Sequence, residues 1–351
     1  MEQLRRVTPR TAFVTGGSGF VGARLIARLV ADGWSVRALG RSDGALRRVA
    51  ALGAEPVRGD LTDQEALAAG MRGCEVVFHV AAHFKLWGPR ALFERVNVGG
   101  TRAIVEAARA TPEVRRVVMV SAAAVVMGKP EPMRAVREDE PLRFQRYAPY
   151  SASKARAERL LLDANGTRAG FETSAVRPPF IWGAGMPTLE EMAHIVAAGR
   201  FQWVGGGHQA MSTCHVDNLC HALMLAAERG RGGEAYFVSD GRDGTLKSVI
   251  APLLATRGVD PGQRAAPFGV VWTLAGVMGF VWRTLRLKGE PPITRQMLRL
   301  IGKDFTVDIG KATSELGYSA VVSWEEGLAE MRAGAFTPAP AAPPVVEPAA
   351  R

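Results

Sequence analysis

T-A-F-V-T-G-G-S-G-F-V-G, residues 11–22, reads as a short apolar strand, a glycine turn and the start of a helix. Gly16, Gly19 and Gly22 stand at G-x-x-G-x-x-G spacing. Gly16 permits the tight turn, Gly19 lets a pyrophosphate approach the backbone, and Gly22 lets the helix pack on the sheet. The helix opens with Phe20 and Val21, and its N-terminus supplies amide donors and the positive end of a dipole. Such a loop is a weak signal alone. Between a first strand and an amphipathic helix it points to a dinucleotide, with a plain structural turn as the alternative.

Outward from this stretch, apolar strands alternate with amphipathic helices. Strands are expected at 35–39, 54–58, 75–80, 115–121 and 171–177, and helices at 19–32, 43–52, 91–110 and 150–165. That alternation implies an α/β fold, a Rossmann-type doubly wound parallel sheet with helices on both faces. After residue 178 glycine and proline break the pattern. Residues 212–240 look like a return to the main sheet, with a strand at 212–216 and a helix at 217–228. Residues 1–178 with 212–240 would then form the nucleotide-binding domain, and 179–211 with 241–335 a smaller substrate lobe. The Pro/Ala-rich tail 336–351 cannot bury enough apolar surface to order itself.

The second strand should end at the adenosine ribose, where a carboxylate selects NAD and an Arg accepts the 2′-phosphate of NADP. Its tip reads Gly40-Arg41-Ser42, with no carboxylate before Asp43. Arg41 and Ser42 therefore favour NADP(H), with NAD(H) as the alternative.

Tyr150-Ser151-Ala152-Ser153-Lys154 places a phenol and an ammonium on one helix face. A nearby ammonium and an oxidised nicotinamide both favour the phenolate, so Tyr150 can exchange a proton with a substrate oxygen near neutral pH. Lys154 can also bind the ribose hydroxyls. Behind a first-strand glycine loop, this pair argues for hydride transfer.

Composition is ordinary for a globular chain: 351 residues, 47% hydrophobic and 22% charged. The net charge of +10 is scattered Arg, since only 7 of the 44 basic residues are Lys. With no basic run interleaved with aromatics, no nucleic-acid partner is expected. Cys74, Cys214 and Cys220 are odd in number and lack metal spacing, and His215 and His221 beside two of them complete no set, so no metal is expected. The thiols fit a reducing compartment, and the first ten residues carry no apolar signal segment, so a cytoplasmic location is expected. Residues 265–282 carry no charge and are flanked by Arg264, Arg283, Arg286 and Lys288. This run is borderline for a bilayer span. It reads as a pocket-lining helix, with a helix lying on a membrane over 265–288 as the sharper alternative.

The ordered motifs T-G-G-S-G-F-V-G (15–22), G-D-L (59–61), H-V-A-A (79–82), N-V-G-G-T (97–101), Y-S-A-S-K (150–154), R-P-P-F-I-W-G (177–183) and C-H-V-D-N-L (214–219) resemble those of extended short-chain dehydrogenase/reductases over residues 10–332. Within that superfamily the chain is most similar to the 3β-hydroxysteroid dehydrogenase and dihydroflavonol-reductase branch. The resemblance implies that Asp60 and Leu61 flank the adenine, that Val80, Ala81 and Ala82 line the cofactor, and that Pro178 and Ile181 approach the nicotinamide. It also implies a homodimer through the helices near 91–110 and 150–165. Asp217 would link the lobes. One departure concerns the catalytic Ser or Thr after the fifth strand. This chain has Ser121 followed by Ala122, Ala123 and Ala124. Either Ser121 orients the substrate oxygen or that donor is missing.

His83, Phe84, Lys85, Leu86 and Trp87 follow the fourth strand at the end of the sheet where ligands bind. With Phe180, Trp182 and Met186 they suggest an apolar pocket. The favoured reading is an enzyme, an NAD(P)-dependent oxidoreductase interconverting a secondary alcohol and a ketone on a hydrophobic substrate: steroid-like, flavonoid-like or long-chain. A nucleotide-sugar epimerase retaining its cofactor is the first alternative, with Arg200, Arg295 or Arg299 for the phosphates. An NADP-binding sensor with vestigial chemistry is the second.

Overall fold

The computed structural model describes residues 10–334; the sequence readings at 1–9 and in the tail 336–351 lie outside the described residues. Its strands are β1 (Thr11–Thr15), β2 (Ser35–Gly40), β3 (Glu55–Arg58), β4 (Val76–His79), β5 (Arg116–Val120), β6 (Met133–Val136), β7 (Glu172–Arg177), β8 (Phe180–Trp182), β9 (Trp203–Val204), β10 (Ala210–His215), β11 (Glu234–Phe237), β12 (Asp243–Thr245), β13 (Ala265–Ala266) and β14 (Phe305–Val307). The helices are α1 (Phe20–Ala31), α2 (Asp43–Ala51), α3 (Gln64–Met71), α4 (Arg90–Phe93), α5 (Gly100–Ala110), α6 (Pro149–Asp163), α7 (Pro187–Ala197), α8 (Val216–Arg229), α9 (Leu246–Ala255), α10 (Phe268–Thr284), α11 (Arg295–Ile301) and α12 (Trp324–Ala333).

Seven parallel strands form the main sheet in the order β11-β7-β5-β4-β1-β2-β3. The central strands are apolar on both sides because helices cover both faces. On one face Leu25, Ile26 and Leu29 of α1 meet Leu219 and Leu223 of α8 over Val14, Phe78 and Val118. On the other, Leu67 of α3, Ile104 of α5 and Leu161 of α6 pack over Phe13, Val77 and Val117. Each such side chain contributes roughly 1.5–3 kcal/mol on burial. β3 is largely exposed and carries Pro56, which suits a sheet edge.

A second sheet runs β12-β10-β14-β6, with β8 also paired to β10. This corrects the expectation for 212–216. β10 is central to the small sheet, and only the helix that follows it, α8, returns to cover the main one. The main-sheet place expected for that strand is taken by β11, which follows α8 and pairs with β7. The helix expected over 91–110 is a continuous run from α4 to α5, interrupted by a wider π turn over Glu94–Gly99. Such turns concentrate at functional sites. Here it turns Asn97 inward, 2% exposed.

Candidate active site

β1 ends in the glycine loop, and its geometry shows why two of the three glycines are needed. Gly16 has φ +73°, and a Cβ there would sit 2.7 Å from the Ala81 nitrogen. A Cβ on Gly22 would meet the Gly16 carbonyl oxygen at 2.2 Å. β1, α1 and the loop after β4 therefore close on one another only with glycine at both positions. Gly19 caps α1 without any side-chain bond, so no side chain occupies the helix's first amides. That open cradle fits a dinucleotide pyrophosphate.

A buried polar chain fixes the loop after β4. Ala81 N–H donates to Thr15 Oγ1 at 3.2 Å, which lies 2.9 Å from His79 Nδ1; His79 Nε2 lies 3.0 Å from Thr101 Oγ1. Thr101 donates to the Asn97 carbonyl at 2.7 Å, so the consistent tautomer has His79 donating from Nε2 and accepting from Thr15 at Nδ1. Burial, with a further contribution from the Lys154 charge, depresses the His79 pKa to about 3, so the ring stays neutral. Asn97 accepts the His83 N–H at 2.7 Å and donates to Ser153 at 2.9 Å, clamping this loop to α6.

At the tip of β2, Arg41 is exposed and makes no hydrogen bond or ion pair among the described residues. The neighbouring carboxylate, Asp43, is held by Arg58. Ser42 Oγ caps α2 by accepting the Ala45 N–H at 3.2 Å. Asp60 accepts the Thr62 N–H at 2.7 Å and its hydroxyl at 2.6 Å, and these bonds keep its pKa below the usual carboxylate value. Leu61 packs on Gly100 at the N-terminus of α5.

α6 carries the acid/base pair. Tyr150 and Lys154, one turn apart, are 8% and 2% exposed. Lys154 Nζ donates to the Val120 carbonyl at 2.6 Å, and burial lowers its pKa to about 8, partly offset by Glu158. Burial pushes the Tyr150 phenol up, opposing the lowering expected from Lys154 and an oxidised nicotinamide. The exposed ring of Phe84 stands edge-on to Tyr150, with centroids 5.0 Å apart.

Ser121 has a partner within the protein. Its hydroxyl donates to Glu158 Oε2 at 2.5 Å, and Glu158 is in turn gripped by Arg177 at 2.6 Å, with all three side chains buried. The turn after β5 is apolar, with Ala122, Ala123 and Ala124 buried, and the Ala123 N–H bonded to the Pro178 carbonyl at 2.8 Å. That bond brings the Pro178–Ile181 segment beside the turn.

The expected pocket residues divide. His83 packs edge-on to Phe93, and Trp87 lies under α10 against Gly279 and Arg283. Phe180 lines a small cavity with Met127, Pro179 and Leu300. Trp182 and Met186 instead belong to the core of the second lobe: Trp182 is fully buried, stacks near Trp324 and donates its indole N–H to Asp240 at 2.6 Å. A tryptophan on β8, inside the small sheet, has no route to the surface. His215 does gather Asp217 and Glu330 about it, but Arg24 of α1 pairs with both carboxylates. Sequence reasoning missed Glu158, although it lies four residues beyond Lys154 on the same helix face. It also missed Asn97, His79 and Arg177 as individuals, though each falls in a motif.

Glycine cradle, covered parallel sheet and Tyr/Lys helix together define an extended short-chain dehydrogenase/reductase, a nicotinamide-dinucleotide-dependent oxidoreductase acting on hydroxyl or keto groups. The chain belongs to the 3-beta hydroxysteroid dehydrogenase/isomerase family, whose sequence profile matches residues 13–266. It is 43% identical over 321 residues to the 4-hydroxy-2-methyl-3-oxo-4-farnesyl-3,4-dihydroquinoline-1-oxide ketoreductase of Stigmatella aurantiaca, covering 91% of this chain and 95% of that one. It is 33% identical to the 2-alkyl-3-oxoalkanoate reductase of Shewanella oneidensis, covering 92% and 85%. The structure of MoeE5 in complex with UDP-glucose and NAD superposes with a TM-score of 0.70 at 25% identity, over 93% of this chain and 98% of that one.

Proposed function

We propose that the enzyme reduces a ketone to a secondary alcohol, with Tyr150 giving the proton to the carbonyl oxygen. The observation that carries this is the buried Tyr150 one turn from the buried Lys154 on α6, with the Phe84 ring edge-on against it. A nicotinamide cofactor, when bound, would supply the hydride. Lys154 holds the ribose with the N–H donors that Val120 leaves free, and Asn97 fixes the loop that bears Phe84. The exposed guanidinium of Arg41, with Asp43 engaged by Arg58, favours NADP(H) over NAD(H).

The relatives narrow the substrate. The substrates named for these two reductases are 3-oxo compounds whose carbonyl adjoins a carbon bearing an alkyl or farnesyl chain. Both also carry a negatively polarised oxygen group, carboxylate or N-oxide, on an atom two bonds from the carbonyl carbon. We assign this chain a substrate of that class: a long-chain ketone with an acidic oxygen group close by.

Such a substrate partitions into lipid. Helix α10 turns Val270, Leu274, Val277 and Phe280 outward, 63%, 43%, 55% and 69% exposed, and Leu285 continues the stripe. Arg264, Arg283, Arg286 and Lys288 bracket it. We assign this face to an anionic membrane surface, from which substrate reaches Trp87 beneath α10. No helix among the described residues is long and apolar enough to cross a bilayer.

The test is nicotinamide absorbance with NADPH and NADH in parallel, against 2-alkyl-3-oxo acids, steroid ketones and nucleotide sugars. Oxidation of cofactor with the 3-oxo acids supports the assignment; turnover of nucleotide sugars alone overturns it. Flotation with phosphatidylglycerol vesicles, lost in Val277→Asp, tests the membrane face.

A further inference from the structure

Arg299 of α11 is 9% exposed and has no carboxylate partner among the described residues. Its Nη2 donates to the Ala124 carbonyl at 3.2 Å and to the Met127 carbonyl. Nε and Nη1, which carry three N–H donors between them, are shut off from solvent with no partner. Burial lowers its pKa to about 10, opposed by the nearby Tyr147 and reinforced by the charge of Arg143, which is itself paired with Glu140. An unpaired buried cation is costly unless something completes it.

Its position says what does. Gln296, one turn earlier on α11, donates to Ser151 at 3.0 Å, so this helix is docked on the residue next to Tyr150. The two carbonyls that hold Arg299 belong to the turn that opens with Ala122 and Ala123, where the expected hydroxyl is absent. Met127 and the next residue of α11, Leu300, line the cavity under Phe180. A guanidinium with three unpartnered donors thus stands at the turn where the chain lacks its hydroxyl, held by Met127 and next in the chain to Leu300, both of which line that cavity.

We infer that Arg299 is the anion anchor of the substrate site, binding the acidic oxygen group of the ketone substrate, a carboxylate in the simplest case. This rests on the reductase reading above for the identity of the substrate, but not for the presence of the anion site. The anchor would orient the carbonyl toward Tyr150 and serve as a specificity determinant. Charged hydrogen bonds of this kind contribute about 1.5–3 kcal/mol, or roughly 10- to 100-fold in affinity.

The experiment is calorimetric titration of the full chain, with NADP bound, by decanoate and by methyl decanoate. Wild type should bind the acid about 10-fold or more tightly than the ester. Arg299→Gln should erase the preference by weakening the acid alone, and Arg299→Lys, which keeps the charge and one donor to the turn, should retain part of it. An unchanged acid-to-ester ratio in either variant, or no preference in wild type, overturns the anchor. If Arg299→Gln does not fold, the Lys variant decides. Absence of ketone turnover by wild type would sink the reductase reading while the titration still judged the anchor.

Discussion

The Ser121 hydroxyl lies 2.5 Å from Glu158 Oε2, inside a buried cluster closed by Arg177. A side chain at the end of β5 is thereby spent on holding α6 against the sheet, eight residues along the same helix from Tyr150. Ser121→Ala should accordingly cost about 1–3 kcal/mol of stability by leaving Glu158 one donor short. Ketone reduction at a permissive temperature should stay within a few-fold of wild type. Chemical denaturation paired with steady-state kinetics decides the matter. A loss of ~10²-fold in kcat with unchanged stability would return Ser121 to the reacting centre.

Tyr150→Phe should lower kcat for ketone reduction by about 10²- to 10⁴-fold while NADP affinity, read by protein fluorescence, is unchanged. The paired expectation concerns pH. Lys154 is cationic below its pKa of about 8 and neutral above it. If its charge holds the cofactor and eases proton release from Tyr150, kcat/KM falls as pH rises through that value. A profile flat to about pH 10, the range of an ordinary lysine, would remove Lys154 from the chemistry.

The nucleotide half of this molecule was legible because its signals are local. The positive φ at Gly16 and the contact of Gly22 with the Gly16 carbonyl are local, and only the approach of Ala81 to Gly16 reaches across the fold. Tyr150 and Lys154 were legible for the same reason. What stayed hidden depends on long-range pairing. Nothing in S-T-C-H-V says that it pairs with residues 180–182 and 243–245 and not with the main sheet. Trp182 resembled a pocket residue because an aromatic next to a predicted ligand site looks the same as one buried against Trp324. Arg299 was one of three candidate cations, and only its burial and its second unpartnered nitrogen distinguish it from the exposed Arg200 and the half-buried Arg295, which has one.

Arg41→Ala tests cofactor choice. Without the guanidinium, the 2′-phosphate of NADP has no cation at the end of β2, since Arg58 is taken by Asp43. KM for NADPH should rise about 10-fold or more and that for NADH should hardly move, a loss in keeping with one charged hydrogen bond. Equal changes for both cofactors would show that Arg41 shapes the loop and does not read the phosphate.

His79 gives the sharpest stability prediction. Its folded pKa of about 3 lies well below the ordinary value of 6.5, because burial penalises the charged ring and Lys154 repels it. The unfolded chain therefore binds a proton at this site that the folded chain refuses. The contribution of His79 is fully present above pH 6.5 and is lost progressively as pH falls toward 3. Across that window its share of the slope is about 1.4 kcal/mol per pH unit. Urea denaturation at neutral pH and at about pH 5 should show this fall in wild type. The fall should be shallower in His79→Gln, which keeps hydrogen-bonding capacity toward Thr15 and Thr101 but cannot titrate. Equal slopes in the two proteins would mean that the ring is charged in the native state, and the tautomer assigned to the Thr15–His79–Thr101 chain would fall with it.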